Sequence, residues 1–221
     1  MPVYPSGGTI AQSVGSPGFG PAPAPSYTSP GSVRFNSADS AYFSYTPTIQ
    51  GSRSTWTWSG WVKRSALGTL QNVFAARSSG SESTIFRLET NNNLLFYAQN
   101  STPTATANYA TVAVFRDVSA WYHVLVAIDT TQSTAANRVS IYINGVLQTL
   151  TTTTTVAQYA QLFVNAPGYV HAIGFQNAVG EYFSGYLAEV HFVDGQALTP
   201  ASFTETNSST GQLVPIGTGY T

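Results

Sequence analysis

The residues with which this chain could do chemistry are few: nine carboxylates, three histidines, four tryptophans and no cysteine. A glycosidase needs two carboxylates about 5–5.5 Å apart for retention, or further apart for inversion. On one strand that means spacings such as E-x-D or E-x-x-x-E, and Glu82, Glu89, Glu181 and Glu189 supply neither. Acyl transfer is no better served, because there is no G-x-S-x-G and no thiol. His123, His171 and His191 lack the H-x-H or H-x-x-x-H spacing of metal ligands. If strands 121–129 and 186–193 are neighbours, His123 could meet Glu189 or His191; otherwise each reads as a hydrogen-bonded surface histidine. Calcium takes about six to eight oxygens, and no D-x-D or D-x-N-x-D cluster exists to begin such a site. The expectation is a protein without catalytic residues, metal or cofactor, whose chemistry is contact.

The side chain that stands out is Trp61. In the segment 56–63, WTWSGWVK, Trp56, Trp58, Gly60 and Val62 share one face of an extended strand, and Thr57, Ser59, Trp61 and Lys63 share the other. The first set should face the core. On the second face Trp61, Lys63, His123, Tyr142, Glu189 and His191 could converge into a shallow aromatic-polar groove suited to stacking against a sugar. The competing reading is that Trp61 packs under the threonine-rich run 151–155.

Period-2 patterning predicts the elements that would position these residues. In 121–129, Tyr122, Val124, Val126 and Ile128 alternate with Trp121, His123, Leu125 and Ala127. Val139, Ile141 and Ile143 alternate with Ser140 and Tyr142, and Asn144-Gly145 then supplies a tight hairpin. Further strands are predicted at 32–35, 41–45, 72–76, 84–89, 94–99, 110–115, 169–176 and 183–193, with a turn at Asp194-Gly195. Thr199-Pro200 reads as a helix N-cap followed by a proline, opening one short helical turn. Many short strands and no long helix predict an all-β sandwich or barrel.

Residues 1–31 are compositionally separate, with seven prolines and six glycines and no charged residue. Such a segment cannot build a helix or a central strand. It is either a disordered leader or an extended arm that orders against a partner, with Tyr4, Ile10, Val14, Phe19 and Tyr27 as anchors and PAPAP at 21–25 as a semi-rigid spacer. Charged residues are only 8%, against about 25% in ordinary domains. The net charge of −1, with basic residues scattered singly, argues against nucleic acid as a partner. No stretch approaches the roughly 20 apolar residues of a membrane span, and the N-terminus lacks the basic and apolar regions of a secretion signal. Without cysteines, a reducing cytoplasm or a particle assembled in one is the expected setting.

WTWSGWVKR (56–64), WYHVLVAID (121–129), VSIYINGVLQ (139–148), HAIGF (171–175) and FSGYLAEVHFVDGQALTPASF (183–203) occur in an order that resembles concanavalin A-like jelly rolls, closest to the laminin-G and pentraxin branch. The resemblance covers about 32–204 and implies a two-sheet antiparallel sandwich, with 1–31 as an arm and 205–221 as a tail packing on or leaving the domain. In sugar-binding members, rim loops often hold calcium. Here Ala188-Glu189 stands where an acidic pair is usual, so one carboxylate is missing. The closing segment, with TGQLVPIGTGY at 210–220, resembles versions of the domain in tailed-phage structural proteins.

Together these observations predict a non-enzymatic virion protein: a capsid decoration, head-fibre or tail-appendage subunit. It would be made in the host cytoplasm, displayed on the virion surface and anchored to other virion proteins by its N-terminal arm. A host-surface glycan and further copies of the chain are the other partners this reading admits. The alternative is a stand-alone carbohydrate-binding module, calcium-dependent in some versions.

Overall fold

Period-2 alternation gives strands with one apolar face each, and two antiparallel sheets of them stack to bury those faces. The computed structural model describes residues 29, 31–78, 80–101, 104–176 and 180–216. The first sheet has six strands in the order β1 (Val33–Phe35), β15 (Gly185–Asp194), β3 (Thr55–Arg64), β8 (Tyr122–Asp129), β9 (Val139–Ile143) and β10 (Val146–Leu147). The second has seven: β11 (Leu150–Thr154), β7 (Ala105–Thr111), β6 (Leu94–Gln99), β5 (Ser83–Leu88), β4 (Gln71–Arg77), β12 (Val170–Ile173) and β2 (Phe43–Tyr45). Two small ribbons complete the described residues, β13 (Phe175–Gln176) with β14 (Glu181–Tyr182), and β16 (Thr204–Thr206) with β17 (Leu213–Pro215). No helix among the described residues is long and apolar enough to cross a membrane.

The core lies between the sheets, and the expected face of β3 supplies it. Trp56, Trp58 and Val62 join Val124, Val126 and Ile128 of β8 against Phe86 and Phe96 of the other sheet. Trp58 meets Phe86 edge-on, with ring centroids 4.7 Å apart. Gly60 belongs to the same face because the Trp58 ring fills the space where its side chain would stand; a Cβ there would come within 2.6 Å of that ring. The Asn144-Gly145 hairpin forms as expected, with both residues at positive φ and Val146 opposite Ile143.

Three local expectations change. The strand predicted at 110–115 lies earlier, at Ala105–Thr111. The chain then leaves the ladder, because the Thr111 hydroxyl bonds the Ala113 carbonyl and buried Arg64 draws in the Phe115 carbonyl at 2.7 Å. The run 169–176 is cut by Gly174 at φ 82, which turns the chain from β12 into β13. Thr199 makes no side-chain cap, although Pro200 does open a short 3-10 turn over Pro200–Ser202.

The arm anchors Tyr4, Ile10, Val14, Phe19 and Tyr27 lie outside the described residues. The 205–221 tail returns to the domain through the β16–β17 ribbon as far as it is described. Gly185 shows how tightly β15 sits against β3: an added Cβ would fall on the Lys63 carbonyl oxygen and within 2.7 Å of the Phe183 ring. Gly185→Ala should therefore cost about 2–3 kcal/mol, read as a lowered urea midpoint with an unchanged m value.

Candidate functional site

The outward face of the six-stranded sheet carries all the residues expected to form a groove, and the sheet order decides which of them meet. The strands 121–129 and 186–193 are not neighbours: β3 lies between them, paired with β15 on one side and β8 on the other. Across this face run two rows, Ala188–Trp61–His123 and His191–Ser59–Leu125–Tyr142. The C-terminal segment crosses over the second row. Phe203 is buried on Leu125 and Ala127, with Tyr142, Val193 and Leu198 packed around it, and its ring stacks on His191 at 5.9 Å. Tyr142 thus belongs to a packed cluster. Lys63 lies further along β3, opposite Tyr186, and helps the Ser119 hydrogen bonds hold the Asp117 carboxyl low.

His123 is not a surface histidine. It is fully buried beneath Trp61, with ring centroids 5.4 Å apart, and its Nε2 lies 2.8 Å from the Ser59 hydroxyl. Burial, with His191 nearby, pushes its pKa down to about 4, so the ring is neutral at physiological pH. His171 is on the other sheet: its Nε2 accepts from the Asn165 N–H at 2.8 Å and its Nδ1 faces the Tyr169 carbonyl at 2.9 Å. The threonine-rich run forms β11 at the far edge of the second sheet, so it does not cover Trp61.

Trp61 instead forms part of a cleft of about 320 Å³, together with Trp121, Glu189, Ser29, Leu213 and Pro215. This volume sits at the lower end of the roughly 300–1,000 Å³ range of small-molecule sites. Each wall has its own source. Trp61 rests on His123, and Trp121 meets Tyr186 edge-on at 6.5 Å. Leu213 and Pro215 come from the C-terminal ribbon. Glu189 projects from a β-bulge: Ala188 faces Trp61 and His191 faces Ser59, so Glu189 and Val190 together oppose Gly60. Glu189 itself takes a left-handed conformation, φ 48. Its carboxylate accepts the Ser29 hydroxyl at 2.6 Å and lies 3.7 Å from His191 Nε2.

Of the expected groove residues, then, Trp61 and Glu189 share a cleft, His123 and His191 back them, and Lys63 and Tyr142 lie outside. Trp121, Ser29, Leu213 and Pro215 were not anticipated; Trp121 alone carried a signal, since alternation puts it on the His123 face. A second adjoining cleft of about 450 Å³ shares Glu189 but is otherwise mainly apolar, with Phe35, Phe43, Ile173, Leu187 and Val190.

The other acidic residues behave differently from their sequence spacing. Glu89 and Glu181 both bond Arg87, at 2.7 and 3.1 Å, and Glu181 also accepts from Asn72 at 2.7 Å. Their charges are taken up by one guanidinium on the second sheet. Among the described residues no three histidines or carboxylates gather as a metal site.

The burial of His123 sets a pH dependence. A histidine whose folded pKa falls from the ordinary 6.5 to about 4 leaves the unfolded chain binding more protons between those values. Stability is therefore whole above about pH 6.5 and declines as pH falls toward 4, by about 3 kcal/mol. Urea midpoints at pH 7.5, 5.5 and 4 should show this loss, and His123→Gln should flatten most of it.

The laminin G type 3 family, described as the Concanavalin A-like lectin/glucanases superfamily, matches residues 36–202, well over half of the chain. No curated protein matches it. Among solved structures, the native heptameric SAP-like pentraxin of Limulus polyphemus is similar with a TM-score of 0.51 and 18% identity, covering 72% of this chain and 71% of that one. Domains LG4-5 of the mouse laminin α1 chain give 0.53 and 11%, covering 87% and 47%. The Ruminococcus gnavus IT-sialidase CBM40 bound to α2,3 sialyllactose gives 0.50 and 12%, covering 73% and 95%. At these identities the likeness is one of fold. With its two stacked antiparallel sheets and the match over 36–202, the chain belongs to the concanavalin A-like lectin/glucanases superfamily.

Proposed function

We propose that this protein is a non-enzymatic virion structural protein of a tailed phage, which displays a lectin-like domain and touches glycan through the cleft between Trp61 and Trp121. The observation that carries the contact reading is the pairing in one cleft of two tryptophans with a carboxylate and a hydroxyl. Indole faces stack on the C–H face of a pyranose ring, and carboxylates accept its hydroxyl hydrogens. The non-enzymatic part is supported by the way Glu89 and Glu181 are both engaged by Arg87 while Glu189 stands on the other sheet. The virion part rests on the sequence: an uncharged proline- and glycine-rich segment precedes the domain, and GQALTPASF at 195–203 followed by TGQLVPIGTGY at 210–220 resembles the closing segment of this domain in tailed-phage structural proteins.

Ser29 hydrogen-bonds Glu189, so the anchoring segment is best removed just before it. Deleting residues 1–28 should leave a folded domain that no longer joins particles; undiminished incorporation would defeat the anchoring role. Trp121→Ala should lower retention on a glycan array at least about tenfold while moving the melting temperature by only a few degrees. Full retention by that variant would remove the cleft from the account.

A further inference from the structure

The charges around the cleft are unevenly placed. Among the described residues of its walls Glu189 is the one that carries a charge, and the others are tryptophan, serine, glycine, alanine, leucine and proline. Its carboxylate is held at the bulge on the cleft side by the Ser29 hydroxyl at 2.6 Å. The titratable group behind it is His191, 3.7 Å away, which stacks on Phe203 and is kept toward its neutral form by burial. Lys63 on β3 and Arg34 on β1 both stand opposite Tyr186, and neither is among the described walls of the cleft. Among the described residues no arginine lines the cleft.

We infer that the cleft selects neutral pyranose oligosaccharides and rejects acidic sugars such as sialic and uronic acids, with Glu189 as the residue that discriminates. The inference rests on the glycan-contact reading above and adds the ligand class. Trp61 and Trp121 offer stacking to any pyranose, so they do not discriminate by charge. A glycan carboxylate entering the cleft would be brought close to Glu189 in a site partly shielded from water, with no guanidinium among its described walls to receive it. Like charges set against each other at an interface cost several-fold to several hundred-fold in affinity. Neutral sugars meet no such opposition, and their hydroxyls are donors a carboxylate can use.

The test uses the full chain on an array pairing each neutral oligosaccharide with its sialylated or glucuronate-terminated counterpart. Neutral members should be retained at least about tenfold better than their acidic partners. The gap should narrow as salt is raised, because screening weakens the repulsion. Glu189→Gln should bring acidic members to within about threefold of neutral ones. If that variant folds poorly, Glu189→Asn removes the same charge with a side chain that tolerates the left-handed backbone. Equal or stronger retention of acidic members by the native protein overturns the inference but leaves the cleft reading intact, provided Trp121→Ala still lowers retention at least about tenfold. A neutral preference that survives loss of the Glu189 charge at full size also overturns it. If the folded protein retains no glycan of either kind, the contact reading fails and this inference falls with it.

Discussion

β3 is hydrogen-bonded along both edges, to β15 and β8, and most of its side chains are buried, so the polar groups it buries need partners inside the protein. On the inner face Trp58 lies over Gly60 and packs on Phe86, and the Arg64 guanidinium donates to the Asn92 side chain at 3.0 Å and the Phe115 carbonyl at 2.7 Å. On the outer face the polar side chains do the positioning. The Thr57 hydroxyl donates to the Gln196 carbonyl at 2.7 Å and accepts the Leu198 N–H at 2.8 Å, although Thr57 is itself fully buried. Ser59 meets His123 at 2.8 Å. Each bond is worth about 1 kcal/mol net, but leaving such a group unpaired costs about 1–3. That asymmetry fixes where the 196–198 segment crosses the sheet. Phe203 then lands on Leu125 and Ala127, and the following ribbon brings Leu213 and Pro215 to the cleft.

The elements whose information is local could be read from the chain. The faces of β3 and β8 follow from period-2 alternation, and the Asn144-Gly145 turn follows from two residues that tolerate positive φ. The shift of β7 was not readable, because the arginine that draws in the Phe115 carbonyl acts through a tertiary contact, and apolar alternation carries no sign of the local bond from the Thr111 hydroxyl to the Ala113 carbonyl. Nor was the separation of β8 from β15: alternation states which way a side chain points and says nothing of which strand lies beside it. The burial of His123 has the same origin. Its position on the outer face was legible, but the tryptophan above it and the segment beside it come from elsewhere in the chain. The cleft was half legible, as Trp61 and Glu189; the walls from Leu213, Pro215 and Ser29 depend on chain crossings that no local pattern encodes.

The bulge at Glu189 is where structural and functional demands on β15 meet. Before it, Tyr186 and Ala188 face outward and Leu187 faces the core; after it, His191 and Val193 face outward. Strict alternation would have turned His191 and Val193 inward and Phe192 outward, removing the stack of His191 on Phe203 and the packing of Phe192 on Trp56 and Phe74. One inserted residue resets the register and lets a single strand serve the cleft at one end and the C-terminal cluster at the other. The register change explains an insertion, but it does not explain a glutamate. The left-handed conformation costs a β-carbon residue roughly 1–2 kcal/mol, which glycine avoids and asparagine largely does. The carboxylate of the side chain at this position lies at the cleft against Ser29. A strained position held by a residue ill-suited to its backbone points to the side chain's own chemistry as the reason for its presence. At this bulge that chemistry is a carboxylate at a cleft that two tryptophans also line.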